Sequence, residues 1–177
     1  PFLEDGAVAM DGSTIIKVGA TKEIKEAYPD AEYIDAKGGV IMPAFINAHE
    51  HIYSAFARGL SIKGYDPHGF LEILDGMWWT IDRNFGHIRD SLFKIEEAAK
   101  ETGVRSCLCY EISDRDGMDK AREAVMENAA FIKHALADDS DMIAGMMGMQ
   151  AQFPIADETT ELAAANKPAE VGYHIHV

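Results

Sequence analysis

Residues 40–51 read VIMPAFINAHEH, an apolar strand pattern that closes on two histidines one residue apart. On a strand the side chains at i and i+2 share a face, so His49 and His51 present two imidazoles to one side while Glu50 points to the other. Pro43 fits such a strand only where the backbone bends or leaves a regular ladder. A hydrolytic metal site needs about three protein ligands and an open position for water. This stretch offers two of them at the end of a strand.

Beyond residue 51, apolar strands alternate with amphipathic helices, the pattern of βα units around a parallel sheet. The spacing predicts a helix over Gly69–Ile81, with Phe70, Leu71, Leu74, Met77 and Trp78 as its apolar stripe. Further helices are predicted over Ser91–Thr102, closed by Gly103, over Asp119–Ala137 and over Asp157–Asn166. Strands are predicted at VRSCLCYEI (104–112), read as buried on both faces, at DMIAGMMGM (141–149) and at VGYHIHV (171–177). In the last of these His174 and His176 again share a face at a strand end, where barrel active sites are built. Upstream, residues 6–19 read as a hairpin turning at Asp11-Gly12. A helix follows from Thr21 as N-cap until Pro29, and then a strand at AEYIDA (31–36). Counted from Val40, four strands are too few for a closed eight-stranded barrel, so an open or incomplete sheet is expected.

The 16 Lys and Arg against 30 Asp and Glu give a formal net charge of -14 and a pI near 4.8, which repels nucleic-acid backbones and anionic membrane surfaces. A hydrophobic content of 47% over 177 residues supports a core without disulfides. Cys107 and Cys109 read as buried small hydrophobes in a reducing compartment. Without a signal-peptide pattern or a membrane-length apolar run, the expected location is the cytoplasm. Met146, Met147 and Met149 read as strand core. His68, His87 and His134 have no metal-like spacing partners and read as surface residues.

GGVIMPAFINAHEHIYSAFARGL (38–60) resembles the strand-one signature of the amidohydrolase superfamily, a Pro-Gly-hydrophobic-hydrophobic-Asn/Asp-x-His-x-His segment. LDGMWW, SLFKIEEAAKETGVR, LCYEISDRDG, ENAAFIK and GYHIHV extend the likeness in order over essentially the whole chain, and it is narrower toward the SsnA-like aminohydrolases associated with selenium metabolism. The resemblance implies an α/β chain. Residues 40–177 would be a partial (β/α)8 TIM-type barrel, holding about strands 1 and 3–5, and residues 1–39 the N-terminal piece of a small composite β-sandwich. It implies His49 and His51 as the first two metal ligands. His176 matches the strand-five ligand, which makes His174 a strand neighbour. The implied cofactor is a divalent metal, Zn first with Fe or Mn as alternatives. The implied partner is a small-molecule substrate, with homo-oligomerisation left open. Candidate substrate-binding residues are Tyr53, Arg58, Glu111, Asp114, Gln150 and His174, and Arg115 shares the loop that follows Glu111.

The sequence also departs from the family. The strand-five Glu, strand-six His and strand-eight Asp that handle protons in the family would lie beyond Val177, so no catalytic residue is named within the chain. Between Ile81 and Ser91 the chain passes through DRNFGHIR where the family carries a helix and the second barrel strand. It therefore reads as a partial copy, expected to show negligible hydrolase activity as written. Gln150, in GMQAQF, stands where the family commonly has a substrate-binding His, and Ala44 replaces the usual Gly. The implied reaction is metal-assisted hydrolysis of a non-peptide C–N bond by an aminohydrolase or deaminase. A cyclic amide hydrolase of hydantoinase or dihydroorotase type ranks lower, because DMIAGMMGM has no Lys to bridge two metals. An inactive metal-binding or structural remnant is the non-enzyme alternative.

Overall fold

The hairpin forms because its two-residue loop suits the chain's twist. Strand β1 (Gly6–Asp11) pairs antiparallel with β2 (Thr14–Ala20), and Gly12 takes φ +56 at the first loop position, where favoured hairpin turns need positive φ. The turn thus sits one residue later than predicted. Helix α1 (Thr21–Ala27) follows directly and packs Ile24 against the hairpin. Thr21 is not its N-cap. Ala20 occupies that position, and the Thr21 hydroxyl instead binds Asp5 Oδ1 at 2.8 Å. The computed structural model describes residues 2–85, 91–153 and 155–177, apart from the side chains of Tyr53, Phe56, Phe85 and Ser91. The chain divides into two compact units, Pro1–His51 and Ile52–Val177.

In the first unit the strands predicted at AEYIDA and VIMPAFINAHEH do not form. Residues 32–51 carry no helix or ladder, and Phe45 and Ile46 are each 91% exposed. An apolar run of this kind is a strand only when neighbours occupy its hydrogen-bonding edges, and among the described residues nothing pairs with it.

The second unit opens with a 3-10 turn, Ile52–Ala57, and a continuous helical run made of α2 (Phe70–Ile73), a π segment (Leu74–Trp78) and α3 (Trp79–Phe85). The predicted stripe is only partly realised, since Phe70 and Leu71 are exposed and the π segment rotates the residues after Ile73 relative to those before it. Helix α4 (Ser91–Thr102) matches its prediction. β3 (Ser106–Leu108) pairs in parallel with β4 (Ile143–Gly145), and an Ile112 bridge to Met149 prolongs the pairing past an interruption. β5 (Met147–Ala151) pairs in parallel with β6 (Tyr173–His176). Helices α5 (Met118–Leu136) and α6 (Asp157–Asn166) form the crossovers. The architecture is mixed α/β with small parallel pairings, and none of the described sheets closes.

The strand predicted at 104–112 is shorter and less buried than expected. Leu108 and Ile112 are buried, but Cys107 is exposed and Cys109 only half-buried, so the two thiols are not core residues. The physical reason is that the ladder runs on one side only among the described residues. Met147 and Met149 are core as predicted, whereas Met146 is half-buried at the break between β4 and β5.

The buried face of α5 comprises Ala121, Ala124, Val125, Asn128, Phe131, Ile132 and Ala135, a helical stripe with one polar member. That member holds the sheet together. Asn128 Oδ1 accepts the Tyr110 backbone N–H at 2.9 Å, and Asn128 Nδ2 donates to the Tyr110 carbonyl at 2.9 Å. The side chain thereby replaces a strand neighbour where the pairing of residues 106–112 is interrupted. Gly148 completes the fit: a Cβ there would lie 2.3 Å from the Tyr110 carbonyl oxygen.

Candidate metal centre

His49 and His51 lie in the unpaired segment of the first unit, His49 exposed and His51 half-buried. Their Nε2 atoms are 3.1 Å apart and the rings meet edge to face, with centroids at 4.8 Å. Glu50 turns away, accepting from Asn47 Nδ2 at 2.8 Å. Zn–N bonds of about 2.0–2.1 Å in tetrahedral geometry set two ligand nitrogens roughly 3.3 Å apart. The imidazole pair therefore fits one small divalent ion through Nε2, even though the backbone is not a regular strand.

His176 stands near the end of β6 in the second unit. Its Nδ1 contacts the Gln150 carbonyl and lies 3.4 Å from Glu111 Oε1. Metal-ligating histidines usually give their other ring N–H to a carbonyl or carboxylate, which sets the tautomer and leaves the remaining nitrogen as ligand. His176 is held in that manner, with Nε2 as the nitrogen a metal would take. His174, on the same face, meets His176 edge to face at 6.5 Å between centroids and pairs in register with Gly148.

Burial pushes the Glu111 carboxyl up to about 7. It borders a cavity of about 460 Å³ whose lining includes Asp82, Tyr110, Ser113, Arg115 and Lys120. The Asp114 carboxylate is engaged elsewhere, accepting from Ala156 N at 2.6 Å and Thr159 Oγ1 at 2.9 Å at the start of α6. Tyr53 lies in the 3-10 turn with its side chain outside the described residues, and Arg58 is exposed just beyond that turn. Of the surface histidines, His68 and His134 are exposed, His134 bonded to Glu96 at 2.9 Å, while His87 lies outside the described residues.

Gln150 is buried, and its Oε1 accepts from Arg115 Nη1 at 2.8 Å. Arg115 in turn pairs with Asp82 on α3 and lies against the Trp79 ring. The sequence pattern did not single out Asp82 or Asn128. The only signal for Asn128 was a polar residue on an otherwise apolar stripe.

The profile of the imidazolonepropionase-like composite domain of bacteria matches residues 6–31. A 5-methylthioadenosine/S-adenosylhomocysteine deaminase of Pelotomaculum thermopropionicum is 27% identical over 201 aligned positions, covering 98% of this chain and 44% of the relative. These likenesses run in the same direction as the amidohydrolase resemblance of the sequence. Other matches include 5'-deoxyadenosine deaminases of Methanococcus maripaludis, 24% identical over 95% of the chain and 45% of the relative, and of Methanocaldococcus jannaschii, 26% identical over 96% and 45%. The chain thus spans less than half the length of the curated relatives it matches. The 201 aligned positions also exceed the 177 residues present, so the first relative carries residues opposite gaps in this chain. No solved structure matches it. Among the described residues no helix is long and apolar enough to cross a membrane.

Proposed function

We propose that the whole protein to which this chain belongs is a metal-dependent aminohydrolase that deaminates a small adenosine-like nucleoside, and that His49, His51 and His176 hold its divalent ion, Zn first. The observation that carries the reading is the tethering of His176 Nδ1 to the Gln150 carbonyl and Glu111, the arrangement of a ligating histidine. The Nε2 separation in the His49 and His51 pair supports it from the first unit. The names of the relatives supply the substrate class. When bound, such an ion supplies the Lewis acidity that brings hydrolytic water within reach of neutral pH. On this reading Glu111 keeps His176 in its ligating tautomer, and Tyr53, Arg58, Glu111, Asp114, Gln150 and His174 are the proposed substrate-binding residues.

On the same reading residues 40–177 are the incomplete metal-dependent hydrolase barrel and residues 1–39 the β-sandwich piece. The parallel pairing of residues 106–112, 143–151 and 173–176 through helical crossovers supports consecutive barrel strands. The protein is proposed to be cytoplasmic.

Zinc titration of the purified chain, followed by calorimetry, tests the ligand set. One ion is expected to bind, and His49→Ala, His51→Ala and His176→Ala are each expected to weaken it at least tenfold. Equal affinity in all four proteins would sink the assignment. The activity belongs to the whole protein and is tested by ammonia release from 5'-deoxyadenosine.

A further inference from the structure

Away from the histidine centre, α4 and the end of α5 bring an imidazole and two carboxylates together. Glu96 stands on α4, His134 in the last turn of α5, and Asp138 just past the cap residue Ala137. One ligand atom from each, a carboxylate oxygen or a ring nitrogen, lies within 4.8 Å of the other two. Spacing in the sequence hides the set, because Glu96 and His134 are 38 positions apart.

The side chains of Glu96 and Asp138 are only 9% and 12% exposed. His134 Nε2 meets Glu96 at 2.9 Å, and its ring is braced by Phe93 and Phe131, with centroids 5.2 and 6.1 Å away. Asp138 Oδ1 accepts from the Ser140 backbone N–H at 2.8 Å and from the Ser140 hydroxyl, which leaves Oδ2 to face Lys100. Carboxylates that ligate metals are backed by hydrogen bonds of this kind. A cation already sits among these groups. Lys100 Nζ lies 2.8 Å from Glu96 Oε1 and also contacts Asp138 Oδ2. Its ammonium is a compact charge on a flexible four-carbon stem, and the side chain is 36% exposed, so it can swing into solvent. A metal in its place gains a ligand that an ammonium cannot use, the Nε2 lone pair of His134 in the tautomer protonated at Nδ1. Zinc bonds of about 2.0–2.2 Å set ligand atoms roughly 3.4 Å apart, so the set closes with side-chain shifts of about 1 Å.

We infer that Glu96, His134 and Asp138 form a second divalent-cation site, a clip between α4 and the end of α5 that Lys100 fills until a metal displaces it. Two carboxylates and one imidazole suit zinc, with water completing the shell. The ion has to expel a positive charge, so in the wild type it follows the single ion of the histidine centre, at higher zinc concentration. It ties two crossover helices together and stabilises the folded chain by binding only that state. The clip holds whether or not the histidine centre takes zinc.

Zinc chloride titrated into H49A/H51A, followed by calorimetry and by the urea midpoint, tests the clip apart from the histidine centre. An ion is expected to bind and to raise the midpoint. H134A in that background is expected to weaken binding about tenfold or more, and D138N, which keeps the shape of the carboxylate, to act in the same direction. K100M is expected to tighten binding about tenfold, because the competing charge is gone. The H134A and D138N comparisons stand even if K100M does not fold. No zinc binding by H49A/H51A, an affinity that H134A or D138N leaves unchanged, or one that a folded K100M leaves unchanged or lowers would each overturn the inference.

Discussion

Asn128 shows how one side chain can stand in for a strand. Its carboxamide satisfies both the N–H and the C=O of Tyr110, and it also donates to the Ala124 carbonyl at 3.1 Å. Replacing it with Ala leaves two backbone groups of Tyr110 without these partners. Each buried unpaired group costs about 1–3 kcal/mol, so Asn128→Ala is expected to destabilise by roughly 2–5 kcal/mol. Urea denaturation checks this; a loss well under 1 kcal/mol would mean that water replaces the amide at little cost. Glu111 poses a different question at the same scale. If it steadies His176 as a ligand, Glu111→Gln is expected to lower zinc affinity about 10–100-fold. Calorimetry showing unchanged affinity would reduce Glu111 to a wall of the cavity.

Two contacts between elements make sharper tests. Lys100 of α4 lies 2.8 Å from Glu96 and also pairs with Asp138, just past the end of α5, while His134 bonds Glu96. Burial pushes the Glu96 carboxyl up, but the Lys100 and His134 hydrogen bonds and charges outweigh it, so it titrates below its ordinary 4.5. Hydrogen bonds from Lys100 and Ser140 hold Asp138 below its ordinary 3.8. Both carboxylates have depressed values in the folded state, so their stabilisation is present above 4.5 and is lost as pH falls through the folded values. Lys100 is raised above 10.5, first by Asp138 and then by Glu96, so its share persists until the solution is more alkaline than that. The difference in urea midpoint between wild type and K100M should therefore be largest near neutrality and shrink below about pH 4. A difference that stays constant to pH 3 would show that packing, not charge, joins the helices.

The Asp114 bond to the first turn of α6 is the second contact. Removing it in Asp114→Ala should cost about 0.5–2 kcal/mol, as loss of a helix cap does. If Asp114 serves the substrate instead, adenosine binding would fall while the urea midpoint stayed in place.

At the scale of the molecule the two units differ in how their backbones are satisfied. Residues 32–51 make few backbone hydrogen bonds and expose their apolar side chains, while residues 147–151 lie buried between neighbours. Amide exchange is expected to be fast across most of 32–51 and slowest around Met147–Ala151. Strong protection at Ile41 to Ile46 would show that this run has a strand partner in solution. Zinc should slow exchange near His49 and His51 if the proposed ligand set is right.

Helices were the most legible part of the fold, because local periodicity and capping carry their signal. The 91–102 and 157–166 helices fall where spacing put them, and α5 starts one residue early at Met118, after Gly117 at φ +100. Parallel strands were less legible, because their hydrogen bonds come from residues far away in the chain, and a run such as VIMPAFINAHEH cannot supply its own partner. The same division holds for the site. Spacing was enough to single out the His49/His51 and His174/His176 pairs, since the i, i+2 pairing of imidazoles is local chemistry, whereas the choice of His176 over His174 came from the family resemblance. Only the tertiary structure decided that His176 is tied to Glu111 and the Gln150 carbonyl, that Asp114 holds α6, and that Arg115 donates to the Gln150 side-chain oxygen. Those contacts join residues dozens of positions apart, and whether they meet depends on how helices and strands pack.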